Sequence, residues 1–393
     1  MPFASNGGVR IYWRSDGDPT LPALLLAGSL GTDHALWQPV MPALAARFRV
    51  LRLDLRGHGA SDAPPGDYTM AQLAADALAV ADAAGAQQFH WCGVSIGGMI
   101  GMHVALTAPG RVRTLVLSNT SAAIAPEVFE QRIAAVKAGG MAAVADAVLG
   151  RFFTPRLRER DPAYWHGVRD SLLALDPQGY IGCCAAIRDM QLAARLPDIR
   201  ARTLVITGRH DVSTPPAMGE AIAAAVAGAE CIELDAAHIS HAERPAEFAD
   251  RVVQYCADRP SEMTVAEQYT QGLARRKAVL GADYVEQRMK ALNDFNGDFQ
   301  RFITQFAWGA VWTRGVVDDA TRRLLVLAIT ASLARWDEYR LHLRAALDAG
   351  LEPVTLREAL IHLSVYAGVP AANTAMQIAQ ELLGAQPGRA NPV

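Results

Sequence analysis

FHWCGVSIGGM, residues 89–99, decides the fold of the first two thirds of the chain. Phe89 to Val94 reads as a short buried strand and the run from Ile96 as a helix, so Gly93-Val94-Ser95-Ile96-Gly97 falls on a strand-to-helix turn. A turn that sharp forces the serine into strained φ/ψ and leaves no room for side chains beside it, which is why glycine stands on both sides. The serine hydroxyl is then presented at the carboxyl edge of a sheet, where a nucleophile belongs.

Working outward, ALLLAG (23–28), RVLRLDL (49–55), TLVLSNT (114–120), TLVITG (203–208) and CIELDA (231–236) also read as buried strands. Helix-period segments such as MAQLAADALAVADAAG separate most of them, which calls for crossovers and a mostly parallel sheet. Between Ser121 and about Leu196 the strand rhythm stops. That helical insertion is expected to cap the carboxyl ends of the strands, where open sheets bind ligands.

A serine nucleophile needs a base, and the base needs an orienting acid, in the chain order Ser, Asp, His for this kind of turn. TGRHDVSTPP places Asp211 just beyond one strand and DAAHISHAERP places His238 just beyond the next, so Ser95, Asp211 and His238 are the expected triad. His241 is a competing base and Asp235 a competing acid. His238 follows the last strand by a short loop, whereas His241 reads as a surface or helix-start residue, beginning the helix that runs to the Phe248 region. The oxyanion hole is expected from the amides of Ile96 and of Leu30 in AGSLGTD, with Ser29 beside it as a substrate contact. Asp54, Arg56 and His58 read as loop architecture, and Cys183 and Cys184 as small buried cap residues.

These residues resemble the α/β-hydrolase family over about 250 residues. Within it, GSLGTDHALWQPV, DLRGHGASDAP, GYIGCCAAIRDM and AAHISHAERPAEF resemble 3-oxoadipate enol-lactonases. An epoxide hydrolase or haloalkane dehalogenase would carry Asp where Ser95 stands. The resemblance implies a lactone bearing a carboxymethyl group, which calls for a cation above the nucleophile; Arg132 and Arg188 are the expected substrate contacts.

After ADRPSEMT (257–264) the pattern becomes continuously helical, through segments 264–281, 283–292, 297–313, 318–334, 336–349, 354–367 and 370–384. The reading is therefore of two domains: 1–260, α/β with a helical cap at about 121–196, and 261–393, all-α. The run from LNDFNGDFQRF through AWGAVWTR and on to SVYAGVPAA resembles 4-carboxymuconolactone decarboxylases, in the alkylhydroperoxidase-like superfamily, over roughly residues 264–384. In RWDEYRLH (335–342), Arg335, Glu338 and His342 stand where a thiol peroxidase of that superfamily would carry Cys-x-x-Cys-x-x-x-His, so the redox pair is missing.

The resemblance implies a decarboxylation that needs no cofactor. The lactone's carboxylate sits on the carbon γ to an unsaturated carbonyl, so loss of CO₂ leaves electrons that spread onto the carbonyl oxygen. The protein must hold carboxylates, stabilise the dienolate and protonate the α carbon. His342 is the expected proton donor, with Glu338 one turn back to orient or charge it, and either could deliver the proton. Arg335, Arg314 and Arg323 are expected carboxylate grips and Trp308 a substrate wall.

The 393 residues suffice for two cores, and the net charge of −3 without a basic run excludes nucleic acid as principal partner. No stretch reaches the roughly 18–20 apolar residues of a membrane span, and the N-terminus lacks the pattern of a secretory signal. Five cysteines without metal-ligand spacing fit a reducing cytoplasm, with no disulfide, zinc or other metal expected. The combined expectation is a two-step enzyme acting on small lactone carboxylates and assembled as a trimer or hexamer through residues 261–393. The alternatives are a serine esterase or lactonase whose helical half only oligomerises, or one with residual peroxidase-like activity.

Overall fold

Eight strands form one sheet: β1 (Phe3–Asn6), β2 (Val9–Asp16), β3 (Ala23–Ala27), β4 (Arg49–Leu53), β5 (Phe89–Val94), β6 (Val112–Ser118), β7 (Arg202–Gly208) and β8 (Glu230–Leu234). Their order is β1-β2-β4-β3-β5-β6-β7-β8; β1 and β2 run antiparallel to their neighbours and β3 to β8 are parallel. The computed structural model describes residues 3–257, 265–314 and 317–384. It divides into two compact units, Met1–Cys256 and Ala257–Val393; the boundary read at 260/261 lies outside the described residues.

From β3 the chain moves to β4 on one side, and β5 pairs on the other, so the order reverses there and leaves a crevice at the carboxyl ends. Ala27 of β3 stands opposite Gly93 of β5. The loop after β3 and the turn after β5 are therefore neighbours, which brings Leu30 beside Ser95. Leu24, Leu25, Trp91, Cys92 and Val94 are wholly buried, as strands covered on both faces require.

The N-terminal hairpin was not expected. VRIYWRSD buries only Ile11 and lies near a sheet edge, so it lacks the apolar run that marks the central strands. Its signal was the turn: Gly7 and Gly8 take φ values of 59° and 84° between two short alternating segments.

The insertion between β6 and β7 contains helices Pro126–Gly139, Ala142–Phe152, Pro155–Arg160, Pro162–Ala174 and Pro177–Arg188 and a 3₁₀ turn at Ala193–Asp198. Four of these open with proline, which sets φ where no amide bond is lost. Asp161 and Asp176 add side-chain caps to the last two helices.

In the second unit the helices are Val265–Leu280, Ala282–Lys290, Gly297–Ile303, Asp319–Ser332, Trp336–Asp348, Pro353–Tyr366 and Val369–Gly384, with no strand among the described residues. The single helix read over 297–313 instead widens into a π-helix at Thr304–Val311, where the Trp312 amide reaches the Ala307 carbonyl five residues back (3.0 Å). This segment presses on helix Val265–Leu280: a Cβ on Gly272 would lie 2.1 Å from the Thr304 carbonyl oxygen, and one on Gly309 2.0 Å from that of Gln268. Tyr339, Leu343, Leu356, Leu360 and Ile378 form the main core, while Val279, Trp308 and Trp312 form a separate small cluster.

Candidate active sites

Ser95 links β5 to helix Ile96–Thr107 with φ 58° and ψ −122°, a conformation that a non-glycine residue keeps only under constraint. A Cβ on Gly93 would lie 2.2 Å from the Gly97 carbonyl oxygen, and one on Gly97 2.1 Å from that of Ala27, so the turn closes only with glycine at both places. The Ser95 amide donates to the Ser118 carbonyl (3.0 Å) and its carbonyl accepts the Thr120 hydroxyl (2.7 Å). With its backbone pinned, Ser95 lines a cleft of about 470 Å³ together with Ser29, Leu30, Arg132, Tyr180 and His238.

His238 Nδ1 is 2.8 Å from Asp211 Oδ2, and both residues are buried. Asp211 also accepts the Thr214 hydroxyl (2.8 Å) and the amides of Ser213 (2.8 Å) and Thr214 (3.0 Å). Burial works to raise its pKa, but the charge and hydrogen bond of His238 and the Thr214 donors outweigh it and hold the carboxyl below its usual value. With Nδ1–H donated to Asp211, the ring is held in the tautomer whose Nε2 can accept a proton.

Asn119 escaped the sequence reading. It sits at φ 46°, donates to Asp211 Oδ2 and to the Ala237 carbonyl (3.1 Å each), and accepts from the hydroxyls of Ser118 (2.7 Å) and Ser240 (2.6 Å). It thereby ties the acid's loop to the base's loop. The available signal was the polar SNT ending an apolar strand, Asn being a residue that tolerates positive φ.

The loop presenting Leu30 is held from behind. The Gly31 amide donates to His58 Nε2 (2.9 Å), and Nδ1–H of that ring donates to the Arg56 carbonyl (3.2 Å). Burial lowers the His58 pKa to about 4, so the imidazole is neutral and can accept. Arg56 pairs doubly with Asp76 (2.8 and 2.6 Å), and Asp54 accepts the amides of His34 (2.6 Å) and Ala60 (2.9 Å). The Ile96 amide lies in the first turn of its helix, where no intrahelical acceptor exists.

Two readings need correction. Arg188 does not line the cleft: its guanidinium pairs with Asp189 (2.6 Å) and Asp67 (3.0 Å), and Ile187 faces the cleft instead, since adjacent helix residues point about 100° apart. His241 is not on the surface: it is 0% exposed, stacks on Trp37 at 4.1 Å and donates Nε2–H to the Leu36 carbonyl (3.1 Å). It belongs to the short helix Ser240–Glu243, and Phe248 to the next, Pro245–Cys256. Burial pulls the His241 pKa to about 3, which disqualifies it as a base at neutral pH. Asp235, the competing acid, pairs instead with His210 (2.8 Å) and Arg156 (3.5 Å).

Arg132 does line the cleft. It makes no ion pair among the described residues, its guanidinium lies over the Phe129 ring (4.9 Å), and it neighbours the buried Tyr180. Burial raises the thiol pKa of Cys184 to about 12 and that of Cys183 far above its ordinary value, so neither offers a thiolate.

In the helical unit, His342 lies against two parallel indoles, 6.3 Å from Trp308 and 6.5 Å from Trp312, with interplanar angles of 13° and 12°. The indoles stack on each other at 5.0 Å. Burial, then the charge of Arg323, lowers the His342 pKa, while Glu338 opposes them. Glu338 is exposed and acts through its charge alone, with no hydrogen bond to the ring. Arg323 is buried and donates Nη1 to the carbonyls of Val279 (3.2 Å) and Ala345 (3.0 Å), binding three helices around His342.

Arg335 and Arg314 are exposed; Arg335 precedes helix Trp336–Asp348, and the Arg314 carbonyl accepts from Arg322. Arg275 and Arg276 were not singled out by sequence. Arg275 lies over the Trp312 ring (5.9 Å) and pairs with Asp319; Arg276 is buried and donates to Gln300 (3.0 Å) and Thr304 (3.1 Å). A separate cleft of about 650 Å³, lined by Tyr269, Asn293, Asp294, Asp298 and Arg301 among others, lacks a histidine.

The sheet with its strained serine turn and buried histidine–aspartate pair defines a serine hydrolase architecture, and the helical unit gathers an imidazole, indoles and arginines. Residues 22–245 match the alpha/beta hydrolase fold and residues 297–381 the carboxymuconolactone decarboxylase family, and the chain belongs to both. It is 31% identical to 3-oxoadipate enol-lactonase 2 of Acinetobacter baylyi over 61% of this chain and 90% of that protein. It is 45% identical to 4-carboxymuconolactone decarboxylase of the same organism over 33% of this chain and 98% of that protein. The crystal structure of the enol-lactonase from Burkholderia xenovorans LB400 superposes with a TM-score of 0.64 at 40% identity, covering 65% of this chain and all of that one.

Proposed function

We propose that the chain catalyses two consecutive steps: decarboxylation of 4-carboxymuconolactone to 3-oxoadipate enol-lactone in the helical unit, and hydrolysis of that enol-lactone to 3-oxoadipate in the α/β unit. The observation that carries this reading is the fusion: near-complete counterparts of two enzymes share one chain, and the product of one is the substrate of the other.

In the α/β unit, Ser95 attacks the lactone carbonyl while His238 takes its proton and Asp211 holds the imidazole. The amides of Leu30 and Ile96 stabilise the oxyanion, and Arg132, which lines the cleft and makes no ion pair among the described residues, grips the carboxymethyl group. The departing enol ketonises, which drives ring opening forward, and water activated by His238 then cleaves the Ser95 ester to release 3-oxoadipate and restore the serine.

In the helical unit, Arg323 and the exposed Arg335 and Arg314 supply positive charge for the substrate carboxylates. His342 is neutral in the free protein, since burial and Arg323 lower its pKa. A dianionic substrate offsets the field of Arg323 and restores the imidazolium that protonates the α carbon. Trp308 and Trp312 wall the imidazole.

Assembly as a trimer or hexamer through the helical unit, in the cytoplasm, completes the proposal. Its support is an exposed apolar stripe: Phe299, Phe302 and Phe306 follow one another along the helical run, Phe295 stands just before it, and each is more than half exposed. No described helix is long and apolar enough to cross a membrane. The direct test supplies each lactone separately and follows its absorbance. Consumption of both supports the assignment, and consumption of the enol-lactone alone reduces the helical unit to an assembly module.

A further inference from the structure

The loop that carries His238 is fastened on both sides of the histidine to one short piece of the cap. On one side, Glu243 Oε2 accepts the Ala237 amide (2.5 Å) while Oε1 accepts the Thr154 amide (2.8 Å) and the Thr154 hydroxyl. On the other side, the Ile239 amide donates to the Phe152 carbonyl (3.0 Å), and the Phe152 ring stacks on the His238 imidazole at 5.7 Å. Arg160 adds bonds to the carbonyls of Glu243 (2.8 Å) and Ala242 (2.7 Å). Thr154 stands at the N-cap of helix Pro155–Arg160 yet makes no side-chain cap bond, its hydroxyl being given to Glu243.

Glu243 is 6% exposed and has no ion pair among the described residues, so its carboxylate depends on these three donors. Glutamine fills the same volume but offers one acceptor oxygen and an NH₂ that would meet an N–H, leaving a buried donor unpaired. The arrangement has a direction: one oxygen for the base's loop, one for the cap.

Resting on the reading of Ser95, His238 and Asp211 as a triad, we propose that Glu243 is a positioning residue of the hydrolase. It locks the His238 loop to cap residues 152–154, so that the cap over the cleft and the base serving Ser95 are set as one piece. A seated cap and an aligned base then occur together.

The test uses the full chain with Glu243→Gln and Thr154→Val, assayed on p-nitrophenyl acetate and on 3-oxoadipate enol-lactone. Glu243→Gln should lower kcat on both by about 30-fold with KM within twofold, the effect expected of a base displaced by a fraction of an ångström. Thr154→Val should lower kcat about threefold and Thr154→Ser should restore it. Unchanged kcat in folded Glu243→Gln, or a loss confined to KM, overturns the proposal. If Glu243→Gln does not fold, Thr154→Val and Thr154→Ser both at wild-type kcat overturn it instead. Wild-type cleavage of p-nitrophenyl acetate but not of the enol-lactone refutes the substrate assignment and leaves the Glu243 test standing.

Discussion

Acidification from pH 8 to pH 5 is expected to cost the α/β unit about 4 kcal/mol of stability through two wholly buried histidines, with half-buried His103, whose pKa burial also lowers, adding to the loss. His58 and His241 are 0% exposed, and burial takes their pKa from 6.5 to about 4 and about 3. With the folded pKa depressed, the unfolded chain binds a proton that the folded one refuses, so stability is full above pH 6.5 and is lost as pH falls toward the folded values. At pH 5 each unfolded imidazole gains about 2 kcal/mol from protonation, at 1.36 kcal/mol per unit, and each folded one almost none. Asp211, whose folded pKa lies below its ordinary 3.8, loses its contribution only at lower pH, so the window from 6.5 to 5 isolates the histidines. Urea unfolding at pH 8, 6.5 and 5, followed by tryptophan fluorescence, reads the loss. His241→Gln, which keeps an N–H for the Leu36 carbonyl, should roughly halve the pH dependence. A midpoint unchanged down to pH 5, or the same slope in the variant, refutes the reasoning. In the folded chain this contact should persist to pH 5 and be lost only near pH 4, where protonating His58 Nε2 removes the acceptor that holds Gly31 next to Leu30.

Asp211→Asn should lower kcat for enol-lactone hydrolysis by about 10³- to 10⁴-fold, measured by loss of lactone absorbance, while CO₂ release from 4-carboxymuconolactone stays at the wild-type rate. Arg132→Gln removes a charge-assisted contact of about 1.5–3 kcal/mol, which should raise KM for the enol-lactone about 10- to 150-fold; Arg188→Gln, already satisfied by two aspartates, should stay within twofold. Binding of a dianionic lactone analogue should take up a proton at pH 7.5, seen as a calorimetric heat that varies with buffer ionisation, and His342→Ala should abolish the uptake.

The central strands, the cap and most of the helices of the second unit were legible because each announces itself locally, by an apolar run or by a 3.6-residue period. The meeting of Ser95, Asp211 and His238 at one edge was legible for the same reason: each follows a strand, and a parallel sheet gathers such loops there. What escaped depends on three-dimensional neighbours. Arg132 and Arg188 look alike in sequence, and only the direction of their helices separates a cleft cation from one paired on the rim. His241 looked exposed because its chain neighbours are polar, yet it packs against Trp37, more than 200 positions away in sequence. The π-helix left no mark on the periodicity of 297–313, and Glu338, one turn from His342, reaches it through charge rather than through a bond.

The division of labour between the two units is tested most directly by supplying 4-carboxymuconolactone to the wild-type chain, Ser95→Ala and His342→Ala and following CO₂ and 3-oxoadipate together. Ser95→Ala should release CO₂ at the wild-type rate and accumulate the enol-lactone, whereas His342→Ala should release none yet still open added enol-lactone. Loss of CO₂ release in a folded Ser95→Ala chain, or its persistence in His342→Ala, would contradict the assignment of one step to each unit.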